Sequence, residues 1–186
     1  MGSAVRSFLA IEIPSDLLDS IIDIQDELKK SNSQVKYVEK ENLHITLKFF
    51  GEITQDKVED IVSSTENILK NYKPTILSLK NLGAFPNKDY LKVLWVGIEK
   101  NNILLDIQKA LDNEYSELGF KKERNFTSHI TLGRVKGSKN KNQLKEIMKT
   151  NSDISIGEMN LNKIVLKKSV LTPNGPIYST IHSFEL

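Results

Sequence analysis

The tetrapeptide His44-Ile45-Thr46-Leu47 recurs 85 residues later as His129-Ile130-Thr131-Leu132. The repeat uses two of the three histidines in the 186-residue chain. The same offset aligns the apolar run from Phe8 to Ile13 with the run from Val93 to Ile98. Because the motif and its flanking pattern repeat together, the sequence indicates a duplicated structural unit.

Apolar periodicity predicts the same order of elements in both halves, namely strand, helix, loop, motif strand, helix and strand. This order indicates the α+β class with an internally repeated architecture. The first three residues precede the strand pattern and are left out of the fold prediction. Strands are predicted over residues 8–13, 45–50, 75–82, 91–98, 130–135, 154–170 and 177–184, and helices begin near residues 15, 54, 101 and 141.

Composition excludes several classes of protein and site. Lys and Arg total 26 against 24 Asp and Glu, a formal charge of +2, so any phosphate recognition has to be local. The chain has no Cys, which excludes disulfides and cysteine-based metal sites. Neither a signal peptide nor an apolar run of about 18 residues is present, and the sequence therefore predicts a cytoplasmic protein.

The two motifs place the same pair of side chains on one face of each strand. Alternate residues of a strand share a face, so His44 and Thr46 point one way and the apolar residues between them point the other. The same holds for His129 and Thr131. If a pseudo-two-fold axis relates the halves, two imidazoles and two hydroxyls line one cleft.

Such a cleft suits metal-free hydrolysis of a phosphodiester. One histidine accepts a proton from water and the other donates a proton to the leaving oxygen, and each role typically contributes about 10² to 10⁴ in rate. Thr46 and Thr131 are candidates for binding the non-bridging phosphate oxygens. No metal or other cofactor is required.

Two cations near the motifs are candidate substrate contacts. Arg134 lies five residues after His129, and Arg is a better bidentate ligand for phosphate than Lys is. Strict alternation turns Arg134 away from His129 unless the strand bulges. Lys48 has the parity of His44 and Thr46, which directs it toward the cleft and makes it a comparable candidate for contact with the phosphate backbone; the alternative is an ordinary solvated strand lysine.

The sequence resembles the 2H phosphoesterases, specifically the RNA 2′,3′-cyclic phosphodiesterases once described as 2′-5′ RNA ligases. Two HxT motifs at this separation are specific to that superfamily, and the resemblance covers nearly the whole chain. It is carried by residues 6–12, 42–51, 85–86, 94–97 and 126–134, and by Ser169, Gly175-Pro176 and Tyr178.

The resemblance implies a bilobal, pseudo-two-fold fold in which two antiparallel sheets face a central cleft with helices outside. It implies a single domain over residues 1–186, made of two interleaved lobes. It further implies that His44 is the proton donor and His129 the proton acceptor in hydrolysis of RNA 2′,3′-cyclic phosphate ends to 2′-phosphomonoesters. The expected partners are RNA ends or nucleotides with that phosphate, bound by a monomer.

Three other functions remain open on the sequence. One is hydrolysis or formation of 2′-5′ RNA linkages in the same cleft, and another is a non-catalytic module that binds RNA ends. A metal site built from His44, His129 and carboxylates is disfavoured, because the motifs supply Thr rather than Asp or Glu.

Overall fold

The fold is described by a computed structural model that covers residues 4–186. Residues 1–3, which the sequence prediction left aside, lie outside the described residues. The four helices of the described chain are α1 Ser15–Lys29, α2 Gln55–Leu69, α3 Asn102–Glu117 and α4 Lys141–Thr150. Its nine strands are β1 Val5–Glu12, β2 Val35–Tyr37, β3 His44–Ile53, β4 Thr75–Pro86, β5 Leu91–Ile98, β6 His129–Val135, β7 Ser155–Leu161, β8 Lys163–Thr172 and β9 Gly175–Glu185.

Two four-stranded antiparallel halves form one curled sheet, in the order β7-β4-β5-β6-β3-β1-β8-β9. The halves join between β6 and β3, the two strands that begin with the histidine motifs, through the residue pair Ile45 and Ile130. The short strand β2 adds to β6. The predicted α+β fold with two antiparallel sheets is thus confirmed, and the junction places both motifs at the centre.

Strand pairing repeats with the same 85-residue offset as the sequence. Five consecutive residues of β1, from Phe8 to Glu12, pair with β3, and the five residues 93–97 of β5 pair with β6 in the same register. Both pairings contain a bulge at the leucine of the motif, Leu47 in β3 and Leu132 in β6. The duplicated sequence therefore produces duplicated local geometry, including its irregularity.

The two faces of the sheet bury different kinds of residues. The main apolar core lies between the sheet and the helices and includes Ile45, Leu47, Ile130 and Leu132. A small separate cluster of Phe8, Ala10 and Val165, with Tyr178 packed against it, lies on the other face. That second face forms the floor of a cleft.

Most predicted elements are confirmed, with three differences. The segment 154–170 forms two strands rather than one, because the extended conformation is interrupted at Asn162, between β7 and β8. Strand β4 continues beyond its predicted end at residue 82 to Pro86, and β2 had no periodic signal because it has only three residues. No helix within residues 4–186 is both long and apolar enough to span a bilayer.

Candidate active site

A cleft of about 430 Å³ opens on the sheet face opposite the helices. Its walls include His44 and Thr46 from β3, Thr131 and Arg134 from β6, and Tyr178 from β9. His129 begins β6 and lies near enough that its charge contributes to lowering the pKa of His44. The structure therefore brings both predicted histidines and both threonines to one place.

Each histidine is held by a backbone carbonyl two residues before it. Nδ1 of His44 lies 2.7 Å from the oxygen of Asn42, and Nδ1 of His129 lies 2.7 Å from the oxygen of Thr127. A carbonyl only accepts, so Nδ1 carries the proton and Nε2 of the neutral ring keeps its lone pair. In both halves Nε2 is thus the nitrogen left for acid or base chemistry.

The threonine of the first motif contacts its histidine directly. Nε2 of His44 lies 2.9 Å from Oγ1 of Thr46. When the ring is neutral the hydroxyl donates to Nε2, and when the ring is protonated Nε2 donates to the hydroxyl. This contact keeps the imidazole oriented in either protonation state.

Burial lowers the pKa of both histidines from their ordinary value of 6.5. The hydrogen bonds from the Nδ1 atoms to the carbonyls oppose this effect. The positive charges of Lys167 and His129 lower the pKa of His44 further, and the charge of Arg134 does the same for His129. The cleft thus favours neutral imidazoles in the free protein.

Aromatic rings hold the two imidazoles from the side. The ring of His44 lies 4.9 Å from Phe8 and 5.5 Å, edge to face, from Tyr178. The ring of His129 lies 4.9 Å, edge to face, from Phe85. This packing restricts ring rotation and accounts for the desolvation that lowers both pKa values.

The bulge at Leu132 decides the position of Arg134. Strict alternation would turn Arg134 to the helix side, but the extra residue reverses the parity of β6 after Thr131. Arg134 is exposed and lines the cleft. Strand β6 therefore contains the bulge that Arg134 needs to reach the cleft.

The prediction that Lys48 faces the cleft is wrong. The equivalent bulge at Leu47 reverses the parity of β3 and turns Lys48 away from His44. Its side chain is only 4% exposed, and Nζ lies 2.6 Å from Oδ1 of Asp112 and 2.5 Å from the carbonyl oxygen of Lys121. Lys48 is therefore a buried ion-pair partner rather than a cleft residue.

The bulge puts Phe49 in the cleft instead, next to a second arginine. The guanidinium of Arg6 lies 4.7 Å from the centre of the Phe49 ring, and both residues line the cleft. The charges of Arg6 and Arg134 both act to lower the pKa of Tyr178, although burial raises it overall. Sequence reasoning missed Arg6 as a site residue, but its alternation with Phe8 along β1 was an available signal.

The third histidine lies outside this site. Nε2 of His182 lies 3.1 Å from Oε1 of Glu66 in α2, and no threonine follows it two residues on, as one does in the two motifs. Among the described residues, no three His, Asp or Glu side chains are grouped as metal ligands would be.

Comparison with known proteins places the chain in a family. The family model described as LigT like Phosphoesterase matches twice, over residues 11–95 and 96–178. The RNA 2′,3′-cyclic phosphodiesterase of Methanothermobacter thermautotrophicus is 41% identical over 98% of this chain and 99% of its own length. The protein of the same name from Methanocaldococcus jannaschii is 44% identical over 95% and 98% of the two chains.

The fold comparison agrees with the sequence comparison. The crystal structure of E. coli LigT complexed with 3′-AMP superimposes with a TM-score of 0.77 and 20% identity, over 100% of this chain and 99% of that one. The two matches of the family model correspond to the two halves of the 85-residue repeat, each with one HxT motif. This chain belongs to the LigT-like phosphoesterase family.

Proposed function

We propose that the protein hydrolyses RNA 2′,3′-cyclic phosphate ends to 2′-phosphomonoesters without a metal ion. The observation that carries the proposal is the pair of equivalently held histidines, each with Nδ1 on a backbone carbonyl and a threonine two residues on. Relatives of 41% and 44% identity named for this activity support the choice of substrate.

In the proposed reaction, His129 accepts a proton from a water molecule as the water oxygen attacks phosphorus. The bond from phosphorus to the 3′ oxygen breaks, and His44 donates its proton to that oxygen. The products are a 2′-phosphate and a free 3′ hydroxyl, so atoms and protons balance. Each histidine then holds the protonation state the other began with, and exchange of one proton with solvent at each ring restores the enzyme.

Thr46 and Thr131 are proposed to donate hydrogen bonds to the non-bridging oxygens. Arg134 is proposed to stabilise the charge that develops on those oxygens, since its guanidinium lines the same cleft. A neutral histidine and a protonated one are both needed at the start. Binding of the anionic phosphate favours protonation of one ring, which offsets the effect of burial.

The proposed substrates are RNA ends or nucleotides with a 2′,3′-cyclic phosphate, bound by a monomer. The structure of E. coli LigT with 3′-AMP supports a nucleotide-sized occupant for this cleft. The cytoplasmic location stays a prediction from the sequence.

The test is turnover of 2′,3′-cyclic AMP with identification of the product. We expect 2′-AMP, undiminished activity in EDTA, and loss of turnover by a factor of at least about 10² in His44→Ala and in His129→Ala. His182→Ala is the matched control and should retain full activity. Full activity of either motif variant would overturn the two-histidine mechanism.

Two further measurements, with a 2′-5′-linked dinucleotide as substrate and of binding to cyclic-phosphate ends, separate the alternatives. Cleavage of a 2′-5′-linked dinucleotide without turnover of the cyclic phosphate would favour the linkage reaction. Tight binding of cyclic-phosphate ends without turnover would identify a non-catalytic module.

A further inference from the structure

A second depression adjoins the cleft and shares one wall with it. It lies between β3 and the loop that leads to β6, and residues 121–125 of that loop line it. Phe49 lines both the cleft and this depression, which we call the loop groove. A ligand that leaves the cleft past Phe49 therefore enters the loop groove.

The loop groove is locally basic although the chain is nearly neutral. Lys121, Lys122 and Arg124 are exposed, and within residues 4–186 none of the three forms an ion pair. The single acid of this stretch, Glu123, has Oε1 3.6 Å from Nζ of the buried Lys48. Three of five consecutive residues thus present positive charge to solvent with their one carboxylate partly neutralised.

The buried ion pair holds the base of this loop in place. Nζ of Lys48 contacts the carbonyl oxygen of Lys121, and Oδ2 of Asp112 accepts the backbone N–H of Glu123 at 2.9 Å. These contacts fix the loop backbone on both sides of Lys122. A cationic loop fixed in this way binds an anion at a smaller entropic cost than a mobile one.

The boundary between the two depressions is an exposed aromatic ring. Phe49 is 47% exposed, its ring is stacked 6.4 Å from that of Phe8, and Arg6 lies over it. Single-stranded RNA is bound by aromatic platforms flanked by cations, because every base offers a face for stacking and every linkage a phosphate. The shared wall has both features.

We propose that the loop groove binds the RNA strand immediately upstream of the terminal cyclic phosphate. In this arrangement a base packs against the exposed part of the Phe49 ring, beside the guanidinium of Arg6, and the adjoining phosphates contact Lys122 and Arg124. The inference rests on the proposed function, since it requires the RNA end to lie in the cleft. It makes an oligonucleotide a better substrate than a mononucleotide with the same terminal base.

The experiment compares 2′,3′-cyclic AMP with a tetranucleotide that ends in adenosine 2′,3′-cyclic phosphate. We expect the double variant Lys122→Ala/Arg124→Ala to raise KM for the tetranucleotide about tenfold and to leave kcat/KM for the mononucleotide within about twofold. The slope of log KM against log salt for the tetranucleotide should fall by about 1.4, the value for two lost phosphate contacts on a single strand.

The matched control is Lys100→Ala/Lys109→Ala, which removes the same charge from exposed positions outside both depressions. It should leave KM for the tetranucleotide and kcat/KM for the mononucleotide within about twofold of the wild-type values. Equal KM values for the tetranucleotide in the wild type and the loop variant would overturn the inference. A large KM effect from Lys36→Ala/Lys136→Ala at the β2–β6 end of the cleft, with none from the loop variant, would also overturn it. Absence of mononucleotide turnover in the wild type would instead contradict the proposed function.

Discussion

The buried pair of Lys48 and Asp112 gives the most direct test of the packing. Their side chains are 4% and 9% exposed, and the pair connects β3 to α3. We choose Asp112→Asn because the amide keeps the shape of the side chain and an oxygen for the N–H of Glu123. The substitution therefore removes the negative charge and replaces the oxygen that accepts from Nζ of Lys48 with an NH2 donor, while the shape of the side chain is kept.

The expected loss follows from what remains around Lys48. Breaking a buried ion pair by removing one partner costs about 3 to 5 kcal/mol, since the other charge stays buried without compensation. Lys48 would keep the carbonyl of Lys121 and the carboxylate of Glu123 at 3.6 Å, so we expect the low end, about 3 kcal/mol. For a chain of this length that corresponds to a fall in Tm of about 10 °C.

The assay is urea unfolding at pH 7, in which the free energy of unfolding of the variant is compared with that of the wild type at a common m-value. The matched control is Asp19→Asn, which breaks an ion pair to Lys40 in which the aspartate is 77% exposed. That control should change stability by less than about 1 kcal/mol. In the Asp112→Asn background, Lys48→Met should recover much of the loss, because it removes the unpaired charge. An Asp112→Asn variant as stable as the control would refute the reasoning.

Two further predictions concern the cleft, and a third concerns the packing of β4 against β5. Because burial lowers the pKa of both His44 and His129, the acid form of each ring is lost at a lower pH than usual, and kcat/KM for a cyclic mononucleotide should peak below pH 6.5. A peak at pH 8 in a pH–rate profile would contradict this. Arg134→Lys should lower kcat/KM about tenfold without changing the urea midpoint, because the exposed guanidinium packs against no core residue and its proposed role is to stabilise charge that develops on the phosphate oxygens; a kcat/KM equal to wild type would count against that role. Gly83→Ala would place a methyl group 2.2 Å from the ring of Trp95, and should destabilise the fold by about 1 to 3 kcal/mol in urea unfolding; unchanged stability would show that Trp95 moves freely.

The part of the site that could be predicted from the sequence is the part that depends on residues close together in the chain. His44 and Thr46 are two residues apart, so strand alternation places them on one face before any bulge intervenes. The carbonyls that hold the histidines belong to Asn42 and Thr127, and backbone groups leave no mark in the sequence. The pairing of the two motif strands followed from the repeat only once a symmetry axis was assumed.

The sequence by itself determined the duplicated α+β order, the strand faces of both HxT motifs and the family, because these depend on local periodicity and on motif spacing. Tertiary structure alone decided that Lys48 is buried in an ion pair and that Arg134 lines the cleft. A bulge reverses the parity of the residues that follow it, up to any further bulge, and it is set by pairing with β1 and β5, which are distant in sequence. The partner of Lys48 lies 64 residues away, and no local pattern encodes a contact of that separation.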